Sequence, residues 1–204
     1  MIKKLVLASG NLGKIAEFQS LLSHQQIEVH SQSEFNVSDA DETGTTFIEN
    51  AIIKARHAAK ISKLPTIADD SGLVVDALNG QPGVYSARYA GLPSDDLNNT
   101  NKLLQALKSV PEGQRSARFH CVMVFLSHAN DPTPLISHGI WEGSIAQQPS
   151  GKQGFGYDPV FFIADKNRTS AELSAVEKNT LSHRGQAVRQ LLPQILDHFS
   201  SLRE

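Results

Sequence analysis

Two adjacent carboxylates, Asp69 and Asp70, directly follow an apolar run and constrain the fold of this chain more than any other feature. The run, residues 64–68, has the composition of a buried strand. Successive side chains of a strand point to opposite faces, so at most one of the two acids can face a given cleft. Ser71 and Gly72 follow, and we predict a turn there that offers a hydroxyl group and close backbone approach.

This arrangement of acids has two interpretations. Carboxylates at the end of a strand suit a hard cation and a phosphate-bearing ligand, because Mg²⁺ is usually held by one or two protein carboxylates together with substrate oxygens. The alternative is a solvated turn whose acids cap the following element. On these residues alone, both interpretations stay open.

A second candidate site lies near the beginning of the sequence. The apolar run 5–8 is followed by a loop with two glycines, Ser9–Lys14, and then by apolar residues at helical spacing, among them Ile15 and Phe18. A strand, a glycine-bearing loop and a helix bring backbone N–H groups and the helix dipole to an anion. Asn11 and Lys14 would add donors. The loop lacks the Walker A pattern, and an ordinary β–α turn is the alternative.

The remaining pattern is that of alternating helices and strands. We predict helices from Phe47 towards Ile61, over 94–110 and, after the segment Ser182–Gly185, at the carboxyl end, each with one apolar face at helical spacing. We predict strands at 117–126, 135–141, 143–146 and 160–163. Residues 151–159 form a glycine-rich loop around Phe155, which either stacks on a ligand or folds back into the core.

Composition excludes several classes of function. The 204 residues are 40% hydrophobic and 20% charged, and 19 basic residues stand against 21 acidic ones, so no basic field indicates a nucleic-acid polymer as partner. The one cysteine, Cys121, cannot form an internal disulfide, which fits a reducing compartment. No apolar run approaches the roughly 18 residues that span a membrane, and no secretory signal is visible. We expect a cytoplasmic protein without membrane association.

Six motifs occur in an order that closely resembles the bacterial members of the Ham1-like inosine triphosphate pyrophosphatase family, over almost the whole chain. They are Ser9-Gly-Asn-Leu-Gly-Lys14, Glu42-Thr-Gly-Thr-Thr-Phe-Ile-Glu-Asn-Ala-Ile-Ile-Lys54-Ala-Arg, Ile67-Ala-Asp-Asp-Ser-Gly72, Pro82-Gly-Val-Tyr-Ser-Ala-Arg88, Gly154-Phe-Gly-Tyr-Asp-Pro159 and Ser182-His-Arg-Gly185.

The resemblance implies a fold and an activity. The fold would be α/β, a long twisted mixed β-sheet flanked by helices, related to the Maf proteins. Residues 1–204 would form a single two-lobed domain with a central substrate cleft. The protein would be a Mg²⁺-dependent homodimer that hydrolyses deaminated purine nucleoside triphosphates (ITP, dITP, XTP) to monophosphate and pyrophosphate, and so keeps these bases out of DNA and RNA.

The resemblance also assigns residues to the triphosphate and the metal. Asp70 would be the catalytic group that orients or deprotonates water, and it would hold Mg²⁺ with Glu42, or with Asp41 if the register of the loop differs by one. Asp69 would be structural. The triphosphate would bind residues of the first loop together with Lys54 and Ser71, the loop residues being Ser9, Gly10, Asn11, Leu12, Gly13 and Lys14.

The base and sugar would bind a second set of residues. Phe155 would stack on the base, worth roughly 1–3 kcal/mol. Donors would match the 6-oxo group of hypoxanthine or xanthine and meet the 6-amino group of adenine unfavourably, at about 1–3 kcal/mol for each mismatch. The implied set is Phe155, Gly156, Tyr157, Asp158, Lys178, His183 and Arg184.

Two other functions fit parts of the sequence. A Maf-like pyrophosphatase for modified pyrimidine triphosphates would not explain the Ser-His-Arg and Phe-Gly-Tyr-Asp segments. A nucleotide-binding sensor without catalysis would not explain the acids at 42 and 70.

Overall fold

The computed structural model describes residues 3–22 and 27–201, and within these ranges it contains seven strands and five α-helices. The strands are β1 (Lys3–Leu7), β2 (Ile27–Ser31), β3 (Thr66–Val75), β4 (Ser116–Leu126), β5 (Leu135–Ile145), β6 (Phe161–Ile163) and β7 (Arg168–Thr169). The helices are α1 (Leu12–Leu22), α2 (Phe47–Ser62), α3 (Asp96–Ala106), α4 (Ala175–Leu181) and α5 (His183–Ser201).

The strands form one open mixed sheet in the order β2-β1-β3-β4-β5-β6-β7. Strand β1 pairs in parallel with both β2 and β3, whereas β6 is antiparallel to β5 and to β7. The predicted α/β class, with a mixed sheet flanked by helices, is confirmed.

The chain divides into two compact units. The first comprises Met1–Asp70, Cys121–Gly139 and Arg184–Glu204, and the second comprises Ser71–His120 and Ile140–His183. The prediction of a single two-lobed domain over residues 1–204 stays a prediction.

In the first unit, alternation along the strands divides the core into two clusters. One combines strand residues with helices α1 and α5: Leu5, Leu7, Ile67, Cys121, Met123 and Phe125 with Phe18, Val188 and Leu191. The other combines the residues between them with helix α2: Ala8, Ala68, Val122, Val124 and Leu126 with Ala51, Ala55 and Ala58. Side chains that alternate along a strand therefore reach different helices.

In the second unit, helix α3 covers an apolar sheet face. Leu103 and Leu107 pack there against residues from strands β3, β4, β5 and β6, including Leu73, Phe119, Trp141 and Phe161. The predicted buried faces of the helices at 47 and 94 and of the last helix are confirmed by these clusters.

Three sequence-based boundaries are wrong. No turn interrupts the chain at Ser71 and Gly72, because β3 runs unbroken from Thr66 to Val75 with a sheet neighbour on either side. Likewise, one strand, β5, replaces the two predicted segments at 135–141 and 143–146. At Ser71 and Gly72, sheet pairing outweighs the local turn propensity of serine and glycine.

The third boundary is that of helix α3, which is shorter than predicted. It begins at Asp96, after Asp95 caps its first turn by accepting the N–H of Asn98 at 2.6 Å, and it ends at Ala106. Beyond its end, the buried guanidinium of Arg115 donates to the carbonyls of Leu107 and Val110 at 2.9 and 3.0 Å.

Among the helices in the described ranges, none combines the length and the apolar character that crossing a bilayer requires.

Candidate active site

The first candidate element is the loop between β1 and α1. Asn11 accepts the N–H of Lys14 on its side-chain oxygen at 3.0 Å, and the Ser9 hydroxyl accepts the N–H of Asn11 at 3.2 Å. These two contacts fix the loop just before the first turn of α1. A helix leaves the N–H groups of its first turn without intrahelical partners, so the loop has the geometry of an anion site.

The strand register places this loop beside the two acids. Leu7, the last residue of β1, is aligned with Ile67 of the parallel strand β3, and the N–H of Ala8 donates to the carbonyl of Ile67 at 2.8 Å. Asp69 and Asp70 follow two and three residues later. Both features therefore lie just beyond the carboxyl end of β1, where β3 continues past its parallel neighbour. The carboxyl ends of parallel strands are where open α/β sheets bind ligands.

Asp69 points to the α1 and α5 side of the sheet. Its Oδ2 atom is 3.1 Å from Nζ of Lys14 and 3.2 Å from Nη2 of Arg184, whose guanidinium also pairs with Glu17 of α1. Burial would raise the pKa of Asp69, but the charges of Lys14, Arg184 and Lys54 outweigh burial and hold it well below its usual range. Asp69 thus connects Lys14 of α1 with Arg184 of α5.

Asp70 points to the opposite side, towards α2. Its Oδ1 atom accepts from Nζ of Lys54 at 2.7 Å, and the same ammonium donates to Oε1 of Glu42 at 2.9 Å. Its Oδ2 atom accepts from the amide of Asn50 at 3.4 Å. Lys54 therefore joins the two carboxylates that the sequence motifs single out.

Burial and neighbouring charges shift the pKa values of Asp70 and Lys54 in opposite directions. Burial raises the pKa of Asp70 by more than the neighbouring charges of Lys54 and Lys14 lower it. Burial alone would lower the pKa of Lys54, but Asp70, Asp69 and Glu42 together raise it, so the ammonium stays charged. A carboxylate with a raised pKa is a better proton acceptor than an ordinary aspartate.

The donor set fits a magnesium ion. Among the described residues, no group of three or more His, Cys, Asp and Glu side chains could hold a metal ion by itself. Mg²⁺ usually takes only one or two carboxylates and completes its coordination with waters and phosphate oxygens. The structure brings Glu42 and Asp70 to one ammonium group, whereas Asp41 in the same loop is exposed.

The second unit holds all of the residues predicted to bind the base and sugar except Arg184. Oδ2 of the buried Asp158 accepts from Nζ of Lys178 at 2.5 Å and from the N–H of Phe155 at 2.9 Å, while Oδ1 accepts from the hydroxyl of Ser170. Nζ of Lys178 is 4.9 Å from the ring centroid of Phe155. Asp158 thus holds both the loop and the cation that lies over its half-buried aromatic ring.

The glycine-rich loop permits only glycine next to this carboxylate. Gly154 has φ of +78°, and a Cβ atom there would lie 2.0 Å from Oδ2 of Asp158. Gly156 also has a positive φ, and its N–H donates to Oδ2 of Asp96 at 2.7 Å. The first turn of α3 therefore fixes the loop from a position 60 residues away in sequence.

Two predicted pocket residues are built into the core of the second unit. The imidazole of His183 stacks on Phe119 with ring centroids 4.7 Å apart and an interplanar angle of 10°. The hydroxyl of Tyr157 donates to the carbonyl of Ser86 at 2.7 Å, and burial raises the pKa of Tyr157. Tyr157 is thus an anchor for the glycine-rich loop.

Sequence analysis missed several residues at these sites. Asn50, Asp96 and Glu17 each contact a predicted site residue, but their partners are 20, 60 and 167 residues distant in sequence. For Asn50 a signal was present, since a polar side chain among the buried alanines of α2 requires a buried partner. Asp96 and Glu17 have the spacing of ordinary helix-surface acids.

Comparisons with known proteins agree with this arrangement. The model of the Ham1 family matches residues 5–194. The dITP/XTP pyrophosphatase of Vibrio cholerae is 61% identical over 95% of this chain and 97% of its own, and that of Escherichia coli is 56% identical over 94% and 97%. The structure of a HAM1 protein from Coxiella burnetii has a TM-score of 0.88 and 53% identity, and covers 96% of this chain and 99% of its own.

The family match and the two relatives cover nearly the whole chain, both compact units and every site residue described above. The chain belongs to the Ham1 family.

Proposed function

We propose that this protein hydrolyses deaminated purine nucleoside triphosphates (ITP, dITP and XTP) to the monophosphate and pyrophosphate, and so removes them from the nucleotide pool. The observation that carries the proposal is the bridge of Lys54 between Glu42 and Asp70, one residue along β3 from the carboxylate of Asp69 that Lys14 of the loop contacts. Family membership and the printed names of the relatives support the substrate class.

In this proposal the triphosphate binds the loop between β1 and α1. The loop residues 9–14 donate backbone and side-chain hydrogens to phosphate oxygens, and Ser71 adds a hydroxyl. Lys14 and Lys54 neutralise negative charge as the bond to pyrophosphate breaks. Both ammonium groups already lie against carboxylates, which hold them in place before the substrate arrives.

Asp70 acts on the attacking water. Its buried carboxylate orients the water and accepts its proton as the oxygen attacks the α-phosphorus, and pyrophosphate leaves. Mg²⁺, held by Glu42 and Asp70 with Asp41 as the alternative ligand, would withdraw electron density from the phosphate oxygens.

The base binds the second unit in this proposal. Phe155 stacks on the purine, and Lys178, fixed by Asp158, donates to the 6-oxo group. His183 is a further donor. Arg184 stays a predicted base contact, but its guanidinium already pairs with Asp69 and Glu17, so a contact with the base would compete with those pairs.

The decisive experiment is product analysis with purified protein and Mg²⁺ on inosine, xanthosine, adenosine and guanosine triphosphates. We expect pyrophosphate and monophosphate from the first two, little from the others, and no turnover by Asp70→Asn. Orthophosphate and diphosphate would contradict attack at the α-phosphorus. Tight binding without turnover would instead make the protein a nucleotide sensor.

We also propose a homodimer working in the cytoplasm, where the nucleotide pool is. The net charge of −2 supports free nucleotides over nucleic-acid polymers as ligands. Light scattering coupled to size-exclusion chromatography tests the dimer, and a monomeric mass at micromolar concentration would contradict it.

A further inference from the structure

The side chain of Asn50 joins the two acidic elements of the first unit. Asn50 lies in the first turns of α2 and is fully buried, at 0% exposure. Its Oδ1 atom accepts the backbone N–H of Gly44 at 2.8 Å, and its Nδ2 atom donates to Oδ2 of Asp70 at 3.4 Å. One amide thus contacts strand β3 and the loop that carries Glu42.

Asn50 repeats the connection that Lys54 makes one helical turn later. Residues four apart lie on the same face of a helix, and both of these side chains reach Asp70, Asn50 at Oδ2 and Lys54 at Oδ1. Both also reach the acidic loop, Asn50 at Gly44 and Lys54 at Glu42. Helix α2 therefore connects Asp70 with this loop through two side chains that lie one helical turn apart.

The amide of Asn50 satisfies both of its partners. A backbone N–H can only donate and an ionised carboxylate can only accept, so the group between them must accept at one end and donate at the other. Aspartate at this position would keep an acceptor for Gly44 but would bring a second negative charge to Asp70. Leucine has a similar volume and neither function.

The backbone of the acidic loop lies directly on this helix turn. A Cβ atom at Gly44 would be 2.7 Å from Oδ1 of Asn50 and 2.6 Å from Cβ of Glu49, closer than real contacts allow. Glu49 in turn accepts the N–H groups of Thr45 and Thr46, both at 2.9 Å. At Gly44, two residues after Glu42, the loop therefore packs against α2 with no space for a side chain.

We propose that Asn50 is the positioning residue of the metal site: it orients the Asp70 carboxylate through Nδ2 and fixes the loop of Glu42 through Oδ1. The inference rests on the proposed function of Asp70 and Glu42 as magnesium ligands. Partners that orient metal ligands typically contribute about 10–100-fold to metal affinity or activity. Asn50 acts in this way without touching substrate.

The test compares Asn50→Leu and Asn50→Asp with the wild type. Binding of Mn²⁺, as a probe of the magnesium site, is followed by electron paramagnetic resonance in the presence of the uncleavable α,β-methylene analogue of inosine triphosphate. We expect Asn50→Leu to weaken Mn²⁺ binding by about 10–100-fold. In turnover, kcat should fall by a similar factor in both variants, while KM at saturating Mg²⁺ changes by less than about threefold.

Asp131→Asn is the matched control for loss of a buried polar contact. Asp131 lies in the loop between β4 and β5 of the same unit, is buried, and accepts from Ser127 and Thr133. We expect this control to lower Tm without changing Mn²⁺ binding or kcat. Asn50→Leu with the same loss of Tm but wild-type Mn²⁺ binding would show a purely structural role and overturn the proposal.

Two further outcomes are informative. Wild-type kcat in Asn50→Asp would overturn the part of the proposal that concerns Asp70, because that variant retains an acceptor for Gly44. A wild-type protein that fails to hydrolyse inosine triphosphate would refute the proposed function instead, and the Mn²⁺ comparison would still decide whether Asn50 positions the carboxylates.

Discussion

At the scale of single residues, the candidate site depends on charges held in fixed positions by opposite charges. Lys54 lies between Glu42 and Asp70, and Lys14 lies against Asp69. Removing one member of a buried group of charges leaves the other charges uncompensated. The folding free energy lost in this way exceeds the net contribution of the intact pair. Substitutions here should therefore affect both catalysis and stability, and each test needs a control on the same element.

Lys54→Met removes the ammonium between the two carboxylates and retains a similar apolar stem. We expect kcat for inosine triphosphate to fall by about 10²–10³-fold, the usual loss when one preorganised donor for developing charge is removed. Steady-state kinetics at saturating Mg²⁺ measures the effect. The control is Lys60→Met, an exposed residue of the same helix, which should behave as wild type. Equal activity of the two variants would contradict the role of Lys54.

Gly154→Ala tests the conformation of the glycine-rich loop. Its left-handed backbone costs a non-glycine residue about 1–2 kcal/mol, and the added Cβ would lie 2.0 Å from Oδ2 of Asp158. We expect KM for inosine triphosphate to rise more than tenfold as the loop and Lys178 shift. Gly113→Ala is the control, because its Cβ would meet nothing within 4 Å and its φ is not positive. Similar KM values in both variants would rule out this explanation.

At the scale of elements, alternation along β3 determines which helix each acid meets. Ile67 and Asp69 face α1 and α5, whereas Ala68 and Asp70 face α2. Helix α5 is amphipathic, and its apolar residues complete the first of these faces. The site is therefore held in place by the packing of helices on both sides of the sheet.

Leu191→Ala tests the packing of α5. The side chain is buried at 1% exposure within the cluster formed with β1, β3 and β4. We expect the free energy of unfolding to fall by about 2–5 kcal/mol, the range for truncating a buried leucine. Urea denaturation measures it, with the exposed neighbour Gln190→Ala as control. A loss below about 1 kcal/mol would mean that the helix packs less tightly than described.

One ion pair, between Asp76 and Arg118 of β4, contributes to the loss of folding stability at low pH. Arg118 donates to both oxygens of Asp76 at 2.7 and 2.9 Å, and hydrogen bonds from Arg118 and Ser116 lower the pKa of Asp76 from 3.8 to about 2. A carboxylate with a lowered pKa stabilises the folded state above its unfolded pKa, and this contribution disappears as the pH falls through the folded value.

We therefore expect the Tm of Asp76→Asn to fall less than that of the wild type when the pH is lowered from 5 to 2. The effect is small because the carboxylate is nearly half exposed. Arg118→Gln should give the same flattening, since it removes the partner. Parallel Tm curves for wild type and both variants would contradict the assignment.

At the scale of the whole molecule, a single thiol reports on unfolding. Cys121 is the only cysteine of the chain and is buried in the core of the first unit. Burial and the neighbouring Asp69 raise the pKa of Cys121 to about 12. Alkylation requires the thiolate, so a folded molecule should be protected at pH 8.

We expect iodoacetamide to modify Cys121 in the native protein at least 100-fold more slowly than in 6 M guanidinium chloride, as measured by intact mass spectrometry. Rapid modification of the native protein would show that the core around β4 opens readily. A substrate analogue that binds only the folded state should slow the reaction further, by the factor 1 + L/Kd, where L is the concentration of free analogue.

The sequence by itself determined the elements and their faces. Periodicity identified the buried sides of α1, α2, α3 and α5, and alternation predicted that Asp69 and Asp70 point apart, as they do. These features follow from local geometry, since 3.6- and 2-residue periods are properties of the chain itself. Ordered motifs also led to the family, which the matching family model confirms.

Only the tertiary structure decided which side chains the residues of the candidate site contact. The contacts of Lys54 with Glu42, of Arg184 with Asp69, of Asn50 with Asp70 and of Asp96 with Gly156 join residues 12 to 115 positions apart in sequence. Ser71 and Gly72 likewise lie in a strand because neighbouring strands pair there, against their local preference for a turn. The partners of a charged side chain depend on which elements pack beside it, and packing is a property of the folded chain.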